Sequence, residues 1–180
     1  MLSQLEKNAG FKILEFFLFN PKTEVHLKEL AKKLKMSPST VKHYCDSFLK
    51  ENLINEIKKG NLRIFYLNLS VYTKELKKAL ALLYFKEKGM EEICRADVTF
   101  VIYGSYASGE FDEKSDLDIL VIADKKDVNT DFVLKFEKKI NKQIQITAIP
   151  YYRWEKMKKN KENFANEVLS NHILIRGSRL

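Results

Sequence analysis

Residues 101–123 read VIYGSYASGEFDEKSDLDILVIA, and their pattern decides the fold of the C-terminal half. A strand is expected over Asp97–Tyr103, stopping at Gly104-Ser105, and a second over Asp116–Ala123. Side chains alternate faces along a strand, so Asp116 and Asp118 project together from the start of the second one. Two carboxylates held that close repel each other, and keeping both ionised calls for a cation. A hard ion such as Mg2+ (or Mn2+) is expected, bound through one or two carboxylates plus substrate phosphates. Gly104 permits close backbone approach to a phosphate, and Gly109 lets the chain turn back towards the second strand. The Gly104-to-Gly109 spacing is not a P-loop, because Glu110 stands where the phosphate-gripping lysine belongs.

Gly104-Ser105-Tyr106-Ala107-Ser108-Gly109, followed by Ser115-Asp116-Leu117-Asp118-Ile119-Leu120-Val121, resembles the signature of the DNA polymerase β-like nucleotidyltransferase superfamily. The closest resemblance is to its minimal nucleotidyltransferases, and it covers about the last 85 residues. It implies transfer of a nucleoside monophosphate from a nucleoside triphosphate to an acceptor hydroxyl. Asp116 and Asp118 would be the catalytic and metal-binding residues, and Gly104, Ser105, Ser108, Gly109 and Lys114 would bind the nucleotide. Such proteins often accompany a HEPN-type protein, which the resemblance makes an expected partner.

The remaining apolar spacing completes a small α+β domain with a mixed sheet. Helices are expected over Asp131–Asn141 and Trp154–Ser170, and a third strand over Gln143–Ile149. A short apolar run closes the segment Phe164–Gly177, as in the family. The resemblance also implies a third acid on the next strand, and the residue there is Gln145, which shares a face with Gln143 and Thr147. A glutamine carbonyl can ligate a metal but cannot act as a base. Two readings therefore stand: a transferase, or a DNA-binding transcriptional regulator whose degenerate nucleotidyltransferase domain binds a nucleotide or partner without catalysis.

The N-terminal third reads as a winged helix-turn-helix. An apolar helix around Phe11–Leu18 ends at Asn20-Pro21, and Leu27, Leu30, Ala31 and Leu34 mark a short amphipathic helix. After a break at Lys35-Met36, Ser37-Pro38 supplies an N-cap with proline at the first helical position. Leu53–Ile57 and Leu62–Leu69 read as strands around a Lys58–Asn61 turn, the wing. Ser39, Thr40, Lys42 and His43 are expected in the major groove of double-stranded DNA, with Lys58, Lys59 and Arg63 on phosphates. Ser70–Gly89 is an expected helix whose apolar surface exceeds one stripe and suits a homodimer. The expected domains are residues 1–69 (winged helix), 70–95 (linker and dimerisation helix) and 96–180 (nucleotidyltransferase-like).

With 45% apolar and 31% charged residues the chain has the composition of a globular protein rather than a disordered one. No apolar run approaches a bilayer span, and the N-terminus lacks a secretory pattern. Cys45 and Cys94 lack metal-ligand spacing and read as thiols of a reducing cytoplasm. The net charge is +8, and residues 1–69 hold twelve basic against seven acidic residues, as suits an arm that meets a polyanion.

Overall fold

The computed structural model describes residues 2–5, 7–94 and 97–180, so the expected boundary at 95/96 lies outside the described residues. The chain divides into two units, Met1–Leu80 and Ala81–Leu180.

In the first unit, α1 (Leu2–Leu5) precedes α2 (Ala9–Phe19), which starts where the Asn8 side chain accepts a hydrogen bond from Phe11 N. Strand β1 (Val25–His26) leads into α3 (Leu27–Leu34). Lys35 then takes the left-handed conformation, φ 53°, and swings the chain into α4 (Pro38–Lys50). Ser37 caps α4 by accepting from Thr40 N at 3.1 Å, with Pro38 in its first turn. Ile13, Phe17, Leu30, Val41 and Cys45 from these helices are buried with Ile54, Phe65 and Leu67. These last three come from β2 (Ile54–Lys59) and β3 (Leu62–Leu67), which form the wing. The two strands pair as far as Lys59↔Leu62, so the turn is only Gly60-Asn61 and Lys58 and Lys59 belong to β2. Strand β1 adds to β3, giving the order β1-β3-β2. Two residues are too few to show alternation, which is why the sequence did not reveal this strand.

Helix α5 (Val71–Glu87) runs through the division between the units. Of Leu76, Ala79, Leu80 and Leu83, which are spaced to form one stripe along it, only Leu80 is buried. Leu80, Ala81 and Phe85 are buried, whereas Val71, Tyr72 and Leu76 are exposed.

The second unit is built on a four-stranded sheet, β4 (Thr99–Tyr103), β5 (Leu117–Ile122), β6 (Ile144–Ile149) and β7 (His172–Arg176). Their order is β6-β5-β4-β7, with only β5 and β6 parallel. A five-residue helix, α6 (Gly104–Ser108), follows β4, and α7 (Thr130–Ile140) joins β5 to β6. The expected single helix Trp154–Ser170 is two, α8 (Tyr151–Lys159) and α9 (Asn163–Ser170). Lys161 has φ 54° and its carbonyl is held by the Asn166 side-chain amide, so the polar run between them turns sharply. The apolar run that follows is β7, which closes the sheet against β4.

One sheet face presents Val101, Leu120, Ile122 and Ile149 to Trp154 and Met157 of α8 and to Ala165 and Val168 of α9. The alternate residues Phe100, Ile102, Ile119 and Val121 are buried on the opposite side. Phe85 meets Tyr106 and Phe136 edge-on, with ring centroids 5.2 and 6.3 Å apart. No described helix is long and apolar enough to cross a membrane.

Arg63, expected on phosphates, is instead held within the fold. Its Nη2 donates to Asp46 of α4 and to Glu56 of β2, each at 2.7 Å, and its Nε donates to Glu56 at 2.9 Å. This fork ties the helix to the wing and holds the Glu56 carboxyl below its ordinary range. Replacing Arg63 with Met should leave two facing carboxylates and cost about 1–2 kcal/mol at neutral pH. Because the Glu56 pKa is lowered by folding, its share of that stability is present above the ordinary carboxylate range and is lost as pH falls through the folded value. Urea unfolding of both proteins at neutral and acid pH, followed by far-UV circular dichroism, should show the gap closing in acid.

Candidate active site

Four residues lie in one row across the C-terminal sheet. Gln145 pairs with Asp118, Asp118 with Tyr103, and Tyr103 with His172. Residues in register share a face, and here it is the face covered by α8 and α9. Asp116 lies two residues before Asp118, and the Gln145 side-chain amide donates to its Oδ2 at 3.0 Å. Thr147, two residues beyond Gln145, meets the Tyr103 hydroxyl at 3.4 Å.

The turn after β4 is built around the acid. Gly104 has φ 67°, and a Cβ placed there would come within 2.5 Å of Asp118 Oδ2. Only glycine lets the carboxylate lie against the turn backbone. Gly109, at φ 76°, ends α6 with its N–H on the Ser105 carbonyl. That carbonyl also accepts from the Ser108 hydroxyl and from the N–H groups of Glu110 and Phe111. The Ser108 hydroxyl, expected on nucleotide, is thus employed in closing α6.

The loop from Phe111 to Asp116 is equally ordered. The Asp112 carboxylate accepts from Lys114 N at 2.8 Å and from the Ser115 hydroxyl at 3.2 Å, and Asp112 N donates back to Ser115 Oγ at 2.9 Å. Tyr106 stacks on Phe111, centroids 4.2 Å apart and rings inclined 12°. The Lys114 side chain is exposed, whereas the half-buried Lys142 reaches the loop, its ammonium donating to the carbonyls of Asp112 and Glu113. Burial lowers the Lys142 pKa from its ordinary range. Lys142 was not legible as a site residue, because it precedes β6 and its partners lie some thirty residues earlier.

Burial raises the Asp118 carboxyl above its ordinary range, and the carboxylates of Asp116 and Glu167 add to the effect. A divalent cation would relieve that cost, so the donor set fits Mg2+. Among the described residues no group of three His, Cys, Asp or Glu could hold a metal unaided. Asp116 and Asp118 would therefore share an ion with substrate phosphate and water, the usual manner for Mg2+.

In the first unit Ser39, Lys42 and His43 are exposed on α4 and Thr40 is half-exposed. The hydroxyls of Ser39 and Thr40 both meet the capping Ser37 hydroxyl, at 2.9 and 2.7 Å. Lys58 is exposed on the wing, and Lys59 forms an exposed ion pair with Glu24 at 2.7 Å.

The family described as "Nucleotidyltransferase domain" matches residues 85–175. Among solved structures, reduced HlyU from Vibrio cholerae is 22% identical with a TM-score of 0.37, over 46% of this chain and 84% of that one. A possible transcriptional regulator from Methanosarcina mazei is 15% identical with a TM-score of 0.37, over 50% of this chain and 84% of that one. No curated protein matches the chain.

Gly104→Ala should strain a left-handed backbone by about 1–2 kcal/mol and displace the Asp118 carboxylate as well. The expected result is a lowered melting temperature together with at least ~10-fold weaker Mn2+ binding in the presence of nucleotide, read by electron paramagnetic resonance.

Proposed function

The chain belongs to the nucleotidyltransferase domain family, and we propose that it transfers a nucleoside monophosphate from a nucleoside triphosphate to an acceptor hydroxyl. The observation that carries this reading is the contact between the Gly104 turn and the Asp118 carboxylate, with Asp116 beside it. Asp116 and Asp118 would hold Mg2+, which would supply positive charge against the triphosphate and the departing pyrophosphate. The Ser105 hydroxyl and the backbone N–H groups of the Gly104-Ser105 turn would receive the triphosphate next to those carboxylates. Gln145 fixes one Asp116 oxygen through its amide, leaving the other free to ligate. Lys142 holds the loop that delivers Asp116.

The first unit is proposed as a DNA-binding arm. Its helix-turn-helix leaves Lys42 and His43 exposed on α4, and its wing leaves Lys58 exposed on β2. Val71, Tyr72 and Leu76 give an exposed apolar face on α5 that supports the homodimer reading. Gln145 favours the second reading, a DNA-binding regulator in which nucleotide binds without transfer.

The two readings separate on incubation with α-labelled ATP, GTP, CTP and UTP plus Mg2+ or Mn2+ and clarified lysate. Transfer predicts label on an acceptor that disappears in the Asp116→Ala/Asp118→Ala variant. Nucleotide bound without covalent label would leave the regulator.

For the arm, fluorescence anisotropy against duplex DNA should show binding that weakens steeply with salt, and Lys42→Ala/Lys58→Ala should flatten the slope by about two. Binding absent even at ~50 mM salt would remove DNA from the proposal.

A further inference from the structure

Strand β6 is one edge of the C-terminal sheet, and it is built unlike the other edge. Edge strands usually carry a charge, a proline or a bulge that keeps further strands away. At the opposite edge β7 has Arg176, and its register with β4 shifts between Phe100 and Val101. Strand β6 reads IQITAI, without charge, proline or glycine, and it pairs with β5 along its whole length without a shift.

The phase of that pairing decides which groups point outward. Leu117 N donates to the Gln143 carbonyl, and Leu117 is in register with Ile144. In a parallel ladder this turns the main-chain groups of Gln145 and Thr147 towards β5, and those of Ile144, Ile146 and Ala148 away from it. Glu137 of α7 marks the outward side, since its Oε1 accepts from Ile144 N at 2.8 Å. No described group accepts from Ile146 N or Ala148 N. The side chains of Ile144, Ile146 and Ala148 line an apolar groove of about 260 Å3 with Val128 and Val133. Lys125 lines the same groove from the turn after β5, at the Ala148 end, whereas Glu137 stands at the Ile144 end.

We propose that this edge is the docking surface for a second copy of the chain, β6 pairing antiparallel with β6 of that copy about a two-fold axis at Ile146. The edge is complementary to itself. Ile146 exchanges both of its main-chain bonds with Ile146 of the second copy, and Ala148 N donates to the Ile144 carbonyl there. Residues directly opposite share a face, so the small Ala148 stands across from the branched Ile144. The antiparallel direction brings the Glu137 end of one groove to the Lys125 end of the other. Among the described residues neither of these two side chains has an ion pair within its own chain. That charge match at both ends selects a second copy over an unrelated strand. The surface belongs to the second unit alone and is separate from the exposed Val71, Tyr72 and Leu76 of α5.

The test uses the full-length chain with Val71→Ser/Tyr72→Ser, which silences the α5 face, as the parent. Lys125→Glu or Glu137→Lys is added to it, and association is followed by sedimentation velocity. The parent is expected to dimerise, and each reversal, by setting like charges opposite each other, should weaken the dimer by about 10-fold or more. An equimolar mixture of the two reversals regains opposite charges at both ends and should associate as the parent does. Ala148→Pro removes an outward N–H without touching the ladder to β5, and should also weaken the dimer. In the parent, deuterium exchange at the Ile146 and Ala148 amides should slow as protein concentration rises. A parent that stays monomeric, reversals that dimerise unchanged, or a mixture no tighter than either reversal alone would each overturn the assignment. Exchange at those two amides that does not depend on concentration overturns it irrespective of any charge variant.

Discussion

Everything at the candidate site follows from one strand pairing, Tyr103 opposite Asp118. That register brings the turn after β4 against a carboxylate at the start of β5, although the connection between the two strands holds α6 and the loop that follows it. It is held by apolar residues on both faces of both strands, since a slip of one residue would exchange the core-facing sets and drive Asp118 to the other side of the sheet. The loop is then closed by its own bonds, the Tyr106–Phe111 stack and the Lys142 clamp. Glycine at 104 and the acid at 118 are thus one constraint. The side chain that forbids a Cβ at 104 is the one that the turn exists to receive.

The two units treat charge in opposite ways. In the first, Arg63 answers Asp46 and Glu56 within the fold, so three ionised groups need nothing from outside. In the second, Asp116 stands two residues from Asp118 on the same face, and the groups that the sheet places beside them are an amide and two hydroxyls. Neutral donors orient carboxylates without cancelling their repulsion. The first arrangement serves the fold, and the second leaves a demand that a bound cation would meet.

Much of this was legible in the chain because it is local. The paired acids, the glycine turn, the Ser37-Pro38 helix start and the wing strands each announce themselves within a few residues, and the mixed sheet and helix-turn-helix followed from them. Gln145 was placed by alternation, and the pairing of β5 with β6 sets it opposite Asp118. What stayed hidden depends on chain segments distant in sequence. Arg63 reads as a free basic residue until α4 and β2 fold against it, and Lys142 as a loop lysine until the Asp112 carbonyl arrives. The break between α8 and α9 was lost in a helix read as continuous, because the left-handed Lys161 that turns the chain there has no glycine to mark it.

Trp154, the only tryptophan of the chain, is fully buried in α8 beneath the face that carries Asp118. Its emission therefore comes from one apolar layer of one unit, the layer formed with Leu120, Ile149 and Val168. The first unit has no indole, so this intrinsic fluorescence is a built-in, single-site optical reporter for the layer that supports the acids.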